Sequence, residues 1–108
     1  MRQIIGEIAY TIMLHRNVIQ NVEQGDMPQV QPICYEFRKL ASRLTALQYS
    51  IPYYDFASRR GLVPCRDQIA AAVSNLIGIS NTSDWTPYEL IRERITKVED
   101  ALRIRREQ

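Results

Sequence analysis

Two successive ladders of apolar residues constrain the fold of this chain more than any other feature. Steps of three and four residues alternate in each ladder, so that every member falls on one stripe of a helix. The first ladder consists of Ile5, Ile8, Ile12, His15, Ile19 and Val22, and the second of Ile33, Phe37, Leu40, Leu44, Leu47 and Ile51. A Gly25-Asp26 pair lies between them, with Pro28 just after. This break predicts a turn that brings two helices together as an N-terminal antiparallel hairpin.

The positions of the remaining prolines and glycines predict one all-α domain over residues 1–108, a small helical bundle. Pro32 occupies a first-turn position of the second helix and Pro52 ends it. The helix that begins at Pro64 should end before Gly78, with Ile69, Ala72, Val73 and Leu76 on its inner side. No segment alternates β-branched and polar residues as a strand does. We therefore expect four main helices and one short helix, at about 3–24, 32–50, 53–60, 64–77 and 86–106.

The last helix has the clearest start signal. Thr86-Pro87-Tyr88-Glu89 matches a capping box with proline at the first helical position. Trp85 and Leu90 occupy the two positions of a hydrophobic staple. Further along, the pairs Glu93–Lys97 and Glu99–Arg103 have the i,i+4 spacing of ion pairs on an exposed helix face.

Residues for catalysis or metal binding are few. His15 is the only histidine, and its place in the first ladder indicates a polar core residue that fixes helix register, with a buried base or metal ligand as the alternative. Cys34 and Cys65 lack CxxC spacing, so we expect two free thiols, although a single bridge remains open. The glycines are isolated and form no phosphate-binding loop. The sequence thus predicts no enzyme, no cofactor and no metal site, and leaves an enzyme that relies on His15 as the least favoured alternative.

A basic, aromatic-rich segment is the strongest binding feature. Residues 38–66 hold six basic residues against one acidic residue, Asp55. Arginine and tyrosine are enriched in protein–protein hot spots, and the same residues contact phosphates and stack on bases. The alternative without a binding function is that the aromatic rings cover the end of the bundle core while the arginines are only solvated. The candidate partner-binding residues are Arg38, Lys39, Arg43, Tyr49, Tyr53, Tyr54, Arg59, Arg60 and Arg66.

The sequence therefore predicts a non-enzymatic protein-interaction module, of the small regulatory or inhibitory kind that bacteria, phages or plasmids encode. Two long apolar stripes in so small a bundle also suggest a homodimer. The alternative is a nucleic-acid-binding protein that uses the 38–66 segment. No run approaches the roughly 20 apolar residues of a membrane span, and no secretory signal is recognisable, so we expect a cytoplasmic protein without membrane contact.

Overall fold

The computed structural model describes residues 1–20, 27–82 and 86–104, with side chains for 1–16, 30–82 and 86–104. Five helices pack against one another in this part of the chain, which contains no strand, so the all-α prediction is confirmed. They are α1 (Arg2–Gln20), α2 (Met27–Ser50), α3 (Tyr54–Arg59), α4 (Arg66–Ser80) and α5 (Tyr88–Leu102).

The arrangement of the helices follows from their contacts. Helix α4 packs extensively between α2 and α5, and α1 contacts both α2 and α5 less extensively. Glu7 pairs with Arg43, and further along α1 His15 contacts Glu36. Because the residue numbers rise in α1 and fall in α2, these contacts are those of antiparallel helices. The predicted turn at Gly25-Asp26 lies outside the described residues.

The second ladder forms the centre of the core. Its first four members are buried, and Leu47 and Ile51 pack against them partly buried. In the first ladder Ile8 and Ile12 are buried, but Ile4 takes the buried position that was predicted for Ile5. The side chains of the ladder members Ile19 and Val22 lie outside the described part. The apolar spacing thus identified the buried stripe of α1, except that its first buried residue lies one position earlier than predicted.

Helix α2 begins earlier than predicted. It starts at Met27, so Pro32 lies inside the helix and the prediction of Pro32 as a first-turn residue is wrong. A proline there removes the amide that would bond the carbonyl four residues back. The added turn buries Val30 completely, and this burial of apolar surface offsets the missing hydrogen bond.

Helix α4 continues through the glycine that was expected to end it. Gly78 is helical, and Arg94 of α5 lies directly over it and donates from Nη1 to its carbonyl oxygen at 2.9 Å. A Cβ atom on Gly78 would come within 2.8 Å of the Arg94 Nε. The glycine therefore serves the close approach of α5, and α4 runs on to bury Ile79.

Two helix starts differ from the predicted ones. Helix α5 begins at Tyr88 with Pro87 as its cap, and the Pro87 carbonyl accepts from the amides of Leu90 and Ile91. The prediction of Thr86 as the cap is therefore wrong, and Trp85 lies outside the described residues.

A capping box is present instead at α4, which starts two residues after Pro64. The Cys65 amide donates to the Gln68 side chain at 2.9 Å, and the Cys65 sulfur accepts from the Gln68 amide.

The two predicted ion pairs of α5 have different outcomes. Lys97 and Glu93 pair at 3.1 Å on the exposed face, as predicted. Glu99 does not pair with Arg103 on that face. Its side chain is only 3% exposed and accepts from Arg16 Nη2 of α1 at 2.6 Å. Arg103 instead ends α5 in the left-handed conformation. The carboxylate faces inward because α5 packs against α1 at this point.

Candidate functional site

Two adjacent tyrosines point in opposite directions where α3 begins. Tyr54 is 2% exposed and packs in the core, and its hydroxyl donates to the carbonyl oxygen of Pro64. Burial raises the pKa of the Tyr54 phenol, while the charge of Arg66 acts in the opposite direction. Tyr53 is 85% exposed and adopts a left-handed backbone with φ of 55°. Tyr54 is therefore an anchor of α3, and its prediction as a partner-contacting residue is corrected.

The other end of α3 closes in a regular helix-terminating turn. The Leu62 amide donates to the Ala57 carbonyl and the Gly61 amide to the Ser58 carbonyl, each at 3.0 Å. Gly61 has φ of 74°, the left-handed conformation that this Schellman motif requires. The six-residue helix is thus held at its start by the Tyr54 hydrogen bond and at its end by this turn.

Helix α3 is also fastened to the start of α4. Arg66 Nε donates to Asp55 Oδ1 at 3.0 Å, and the Arg66 guanidinium lies 5.0 Å from the centre of the Tyr54 ring. The pair is largely exposed, so it contributes little to stability. Its effect is to occupy both Asp55, the one acidic residue of the segment, and Arg66.

The outer side of α3 carries the exposed aromatic rings and guanidinium groups. Phe56 and Arg60 lie on one side, with Arg60 5.0 Å from the centre of the Phe56 ring, and Tyr53 directly precedes α3 with its side chain exposed. Phe56 is 58% exposed, and Tyr49, at the end of α2, is 78% exposed. Arg59 and Arg60 form no ion pair with any residue that the structure describes. We call Tyr49, Tyr53, Phe56, Arg59 and Arg60 the aromatic–arginine surface.

The three predicted basic residues of α2 are engaged within the chain. Arg38 donates to Asn81 Oδ1 at 2.9 Å at the end of α4. Lys39 lies 5.0 Å from the centre of the Tyr35 ring. Arg43 pairs with Glu7 of α1 at 2.6 Å. The structure thus divides the nine predicted residues between the aromatic–arginine surface, the α3–α4 junction and the outer face of α2.

His15 lies at the edge of the core and not on its central stripe. Its side chain is half-buried, and Nε2 lies 3.3 Å from Glu36 Oε2 across the α1–α2 contact. The two residues line a groove of about 450 Å³, together with Lys39 and Leu40. The contact joins two helices at a defined position, which fits the register role. No described serine or cysteine lines the groove beside His15 as a nucleophile.

The two cysteines are free and differ in exposure. Cys34 is buried and its thiol donates to the Ile79 carbonyl at 3.7 Å, whereas Cys65 is exposed at the cap of α4. Burial raises the pKa of the Cys34 thiol. Within the described ranges, no three residues among His, Cys, Asp and Glu lie close enough together to hold a metal ion.

Sequence reasoning missed two features of α1. Arg16 supplies the partner of buried Glu99, which no local pattern could indicate because 83 residues separate the two. Tyr10, Met13 and Leu14 are each more than half exposed, outside the ladder of the same helix. Their own spacing of three and four residues was a readable signal of a second apolar face.

Comparison of the chain with models of known protein families, with curated proteins and with solved structures gave no significant match. Among the helices described here, none is long and apolar enough to cross a membrane.

Proposed function

We propose that this protein is a non-enzymatic protein-interaction module, a bundle built on the antiparallel α1–α2 hairpin that binds a protein partner through the aromatic–arginine surface. The observation that carries the proposal is the exposure of Tyr53, Phe56 and Arg60 at α3, where Arg60 lies over the Phe56 ring and the segment is held at both ends. Aromatic and arginine side chains dominate hot spots, and a backbone that is already fixed reduces the entropy lost on binding.

The charge of this surface selects the kind of partner. Arg59 and Arg60 are exposed and carry positive charge; of the two carboxylates in the groove beside Arg59, Asp55 is engaged by Arg66, and Asp67 lies at the start of α4. A partner that presents carboxylates around an apolar centre would complement both the guanidinium groups and the rings. The partner we propose is therefore an acidic protein surface. A module of this kind acts by occupying a surface of its partner, which is the form of a small regulator or inhibitor.

Nucleic acid is the second candidate, because the same rings could stack on unpaired bases beside Arg59 and Arg60. Three of the six basic side chains in residues 38–66 count against it. Arg38, Arg43 and Arg66 are bonded to Asn81, Glu7 and Asp55, and they lie on different sides of the bundle. A strand of phosphates requires a continuous line of available cations. This dispersal favours the protein partner.

Affinity capture from cells that encode the chain, followed by quantitative mass spectrometry, tests the proposal. The full chain is compared with Phe56→Ala/Arg60→Ala and with the matched control Ile77→Ala/Arg92→Ala, which alters exposed residues elsewhere. We expect an acidic protein whose capture falls at least tenfold with the first pair and stays unchanged with the control. Titration of the purified partner should show an affinity loss of roughly thirtyfold or more, since even one hot-spot truncation costs about 2 kcal/mol. Equal capture by both variants would refute the proposal.

A gel-shift titration across salt separates the second candidate. Binding through phosphates predicts an affinity that falls with log salt at a slope of about −0.7 per contact on a single strand. The same Phe56→Ala/Arg60→Ala variant should then lose binding. No shift of single-stranded or duplex probes at low salt would exclude nucleic acid.

A further inference from the structure

A groove of about 450 Å³ lies between the start of α1, the chain that joins α3 to α4, and the end of α5. We call it the α3–α5 groove. Six apolar side chains line it, namely Ile5, Leu62, Val63, Pro64, Ala101 and Leu102. Small-molecule sites have volumes in this range and combine a mostly apolar lining with a few polar groups. The α3–α5 groove therefore has the size and the lining of a small-molecule site.

Leu62 forms an exposed wall of the α3–α5 groove. It follows Gly61 in the Schellman turn that ends α3, a place where an apolar side chain usually packs back against its own helix. Leu62 is nevertheless 71% exposed. A ligand that lies against Leu62 removes this surface from water, which favours an apolar ligand.

Arg103 supplies the one charge among the described residues that line the α3–α5 groove. It is exposed and forms no ion pair with any residue that the structure describes. Glu99, its partner by sequence spacing, is engaged by Arg16 instead. An available guanidinium at the rim of an apolar groove whose described lining contains no carboxylate complements an anion that carries an apolar group.

The backbone holds Arg103 in place beside the α3–α5 groove. The Arg103 amide donates to the Asp100 carbonyl at 3.3 Å and the Ile104 amide to the Glu99 carbonyl at 2.8 Å, which makes a second Schellman turn. Arg103 has φ of 55° at the position that glycine usually takes, because a side chain strains a left-handed backbone. Strained residues cluster at ligand-binding sites, so this conformation is a further indication of a site.

We propose that the α3–α5 groove binds an unbranched fatty acid, with the alkyl chain against the apolar lining and the carboxylate paired with Arg103. One guanidinium matches one carboxylate in a bidentate pair. The described lining holds no aromatic ring on which a base or another planar ligand could stack. No residue of the aromatic–arginine surface lines the groove in the described chain, so this site is independent of the proposed partner binding.

Isothermal titration calorimetry of the full chain with decanoate, below the concentration at which decanoate forms micelles, tests this proposal. We expect saturable binding of one decanoate per chain with a dissociation constant below about 1 mM. Decyltrimethylammonium has the same alkyl chain with the opposite charge, and acetate has the carboxylate without the chain. Both should bind at least about tenfold more weakly than decanoate, since each lacks one half of the recognition.

Two pairs of variants locate the site. Arg103→Gln should weaken decanoate binding at least about tenfold, whereas Arg103→Lys should retain most of it because the charge remains. The matched control Arg92→Gln neutralises another exposed arginine of α5 and should leave the affinity unchanged. Leu62→Gln should weaken binding at least about threefold through the lost apolar contact. Its control, Ile77→Gln, alters an exposed apolar residue of α4 and should have no effect.

Circular dichroism of each variant establishes that the helices remain folded. Absence of saturable binding up to about 5 mM decanoate overturns the proposal. Equal affinity for decanoate and decyltrimethylammonium overturns it as well, and so does equal loss in Arg103→Gln and Arg92→Gln. A short peptide that ends in a leucine carboxylate serves as the competing probe. Tighter binding of this peptide than of decanoate would identify a site for a protein terminus and overturn the fatty acid.

Discussion

The α4–α5 region and the α3 segment use the same residue types for opposite purposes. In the first, Arg94 lies on Gly78 and its guanidinium bonds the helix backbone. In the second, Arg59 and Arg60 extend from a short helix toward solvent. The difference lies in the surroundings of each guanidinium. Arg94 meets a backbone carbonyl within a helix–helix contact, whereas Arg59 and Arg60 face solvent. Composition alone therefore cannot separate a structural arginine from one available for binding.

Aromatic residues show the same contrast. Phe37 is fully buried at the centre of α2, whereas Phe56 is 58% exposed on α3, and these are the only two phenylalanines of the chain. A buried ring contributes through the apolar area that it removes from water. An exposed ring on a fixed segment leaves that gain available to a partner. The proposed function therefore assigns stability and binding to separate sets of residues, and matched substitutions test this contrast.

The largest expected effect separates the two phenylalanines. Phe37→Ala should lower the free energy of unfolding by about 3–5 kcal/mol, because it leaves a cavity among fully buried neighbours. Phe56→Ala should change it by less than about 0.5 kcal/mol, as exposed substitutions do. Urea denaturation followed by circular dichroism measures both values. Losses of similar size would mean that Phe56 belongs to the core and would remove the contrast.

A smaller effect separates two ion pairs. Arg16→Met removes the cation that pairs with Glu99, whose carboxylate is 3% exposed, and should cost about 2 kcal/mol. This figure is below that of a fully buried pair because Arg16 itself is partly exposed and screened by solvent. Lys97→Met removes the cation from an exposed pair with Glu93 and should cost less than about 0.5 kcal/mol. Urea denaturation at matched ionic strength compares them, and equal costs would show that burial does not decide the strength of these pairs.

The sequence was sufficient for the helices and their inner stripes. Burial in a helix repeats every 3.6 residues, so the ladder from Ile33 to Ile51 identified the buried side of α2 without reference to any other helix. Features that depend on another helix were not accessible in this way. Gly78 ends a helix in the usual pattern, and only the arrival of Arg94 explains why it lies inside one. The start of α4 was missed because a cysteine supplies the cap where serine or threonine is the usual signal.

The candidate site was predictable as a segment but not as a surface. Clustering of arginine and tyrosine located residues 38–66, yet the register of α3 decides that Tyr54 is buried and Tyr53 exposed. A helix of six residues is too short for its apolar period to define which side faces inward. The intramolecular partners of Arg38 and Arg43 come from α4 and α1, so their engagement could not be foreseen from local sequence.

The smallest expected effect concerns the backbone beneath the aromatic–arginine surface. Tyr53 has φ of 55°, a conformation that costs a residue with a side chain about 1–2 kcal/mol. Tyr53→Gly relieves that cost but enlarges the freedom of the unfolded chain by about 0.5–1 kcal/mol, so the free energy of unfolding should stay the same or rise by up to about 1.5 kcal/mol. Gly61→Ala, at φ of 74°, should instead lose about 1 kcal/mol. Urea denaturation measures the sign of both changes in the free energy of unfolding. A clear loss in Tyr53→Gly would mean that the ring stabilises the fold, whereas the expected result leaves the Tyr53 ring without a role in stability, as the proposed partner contact requires.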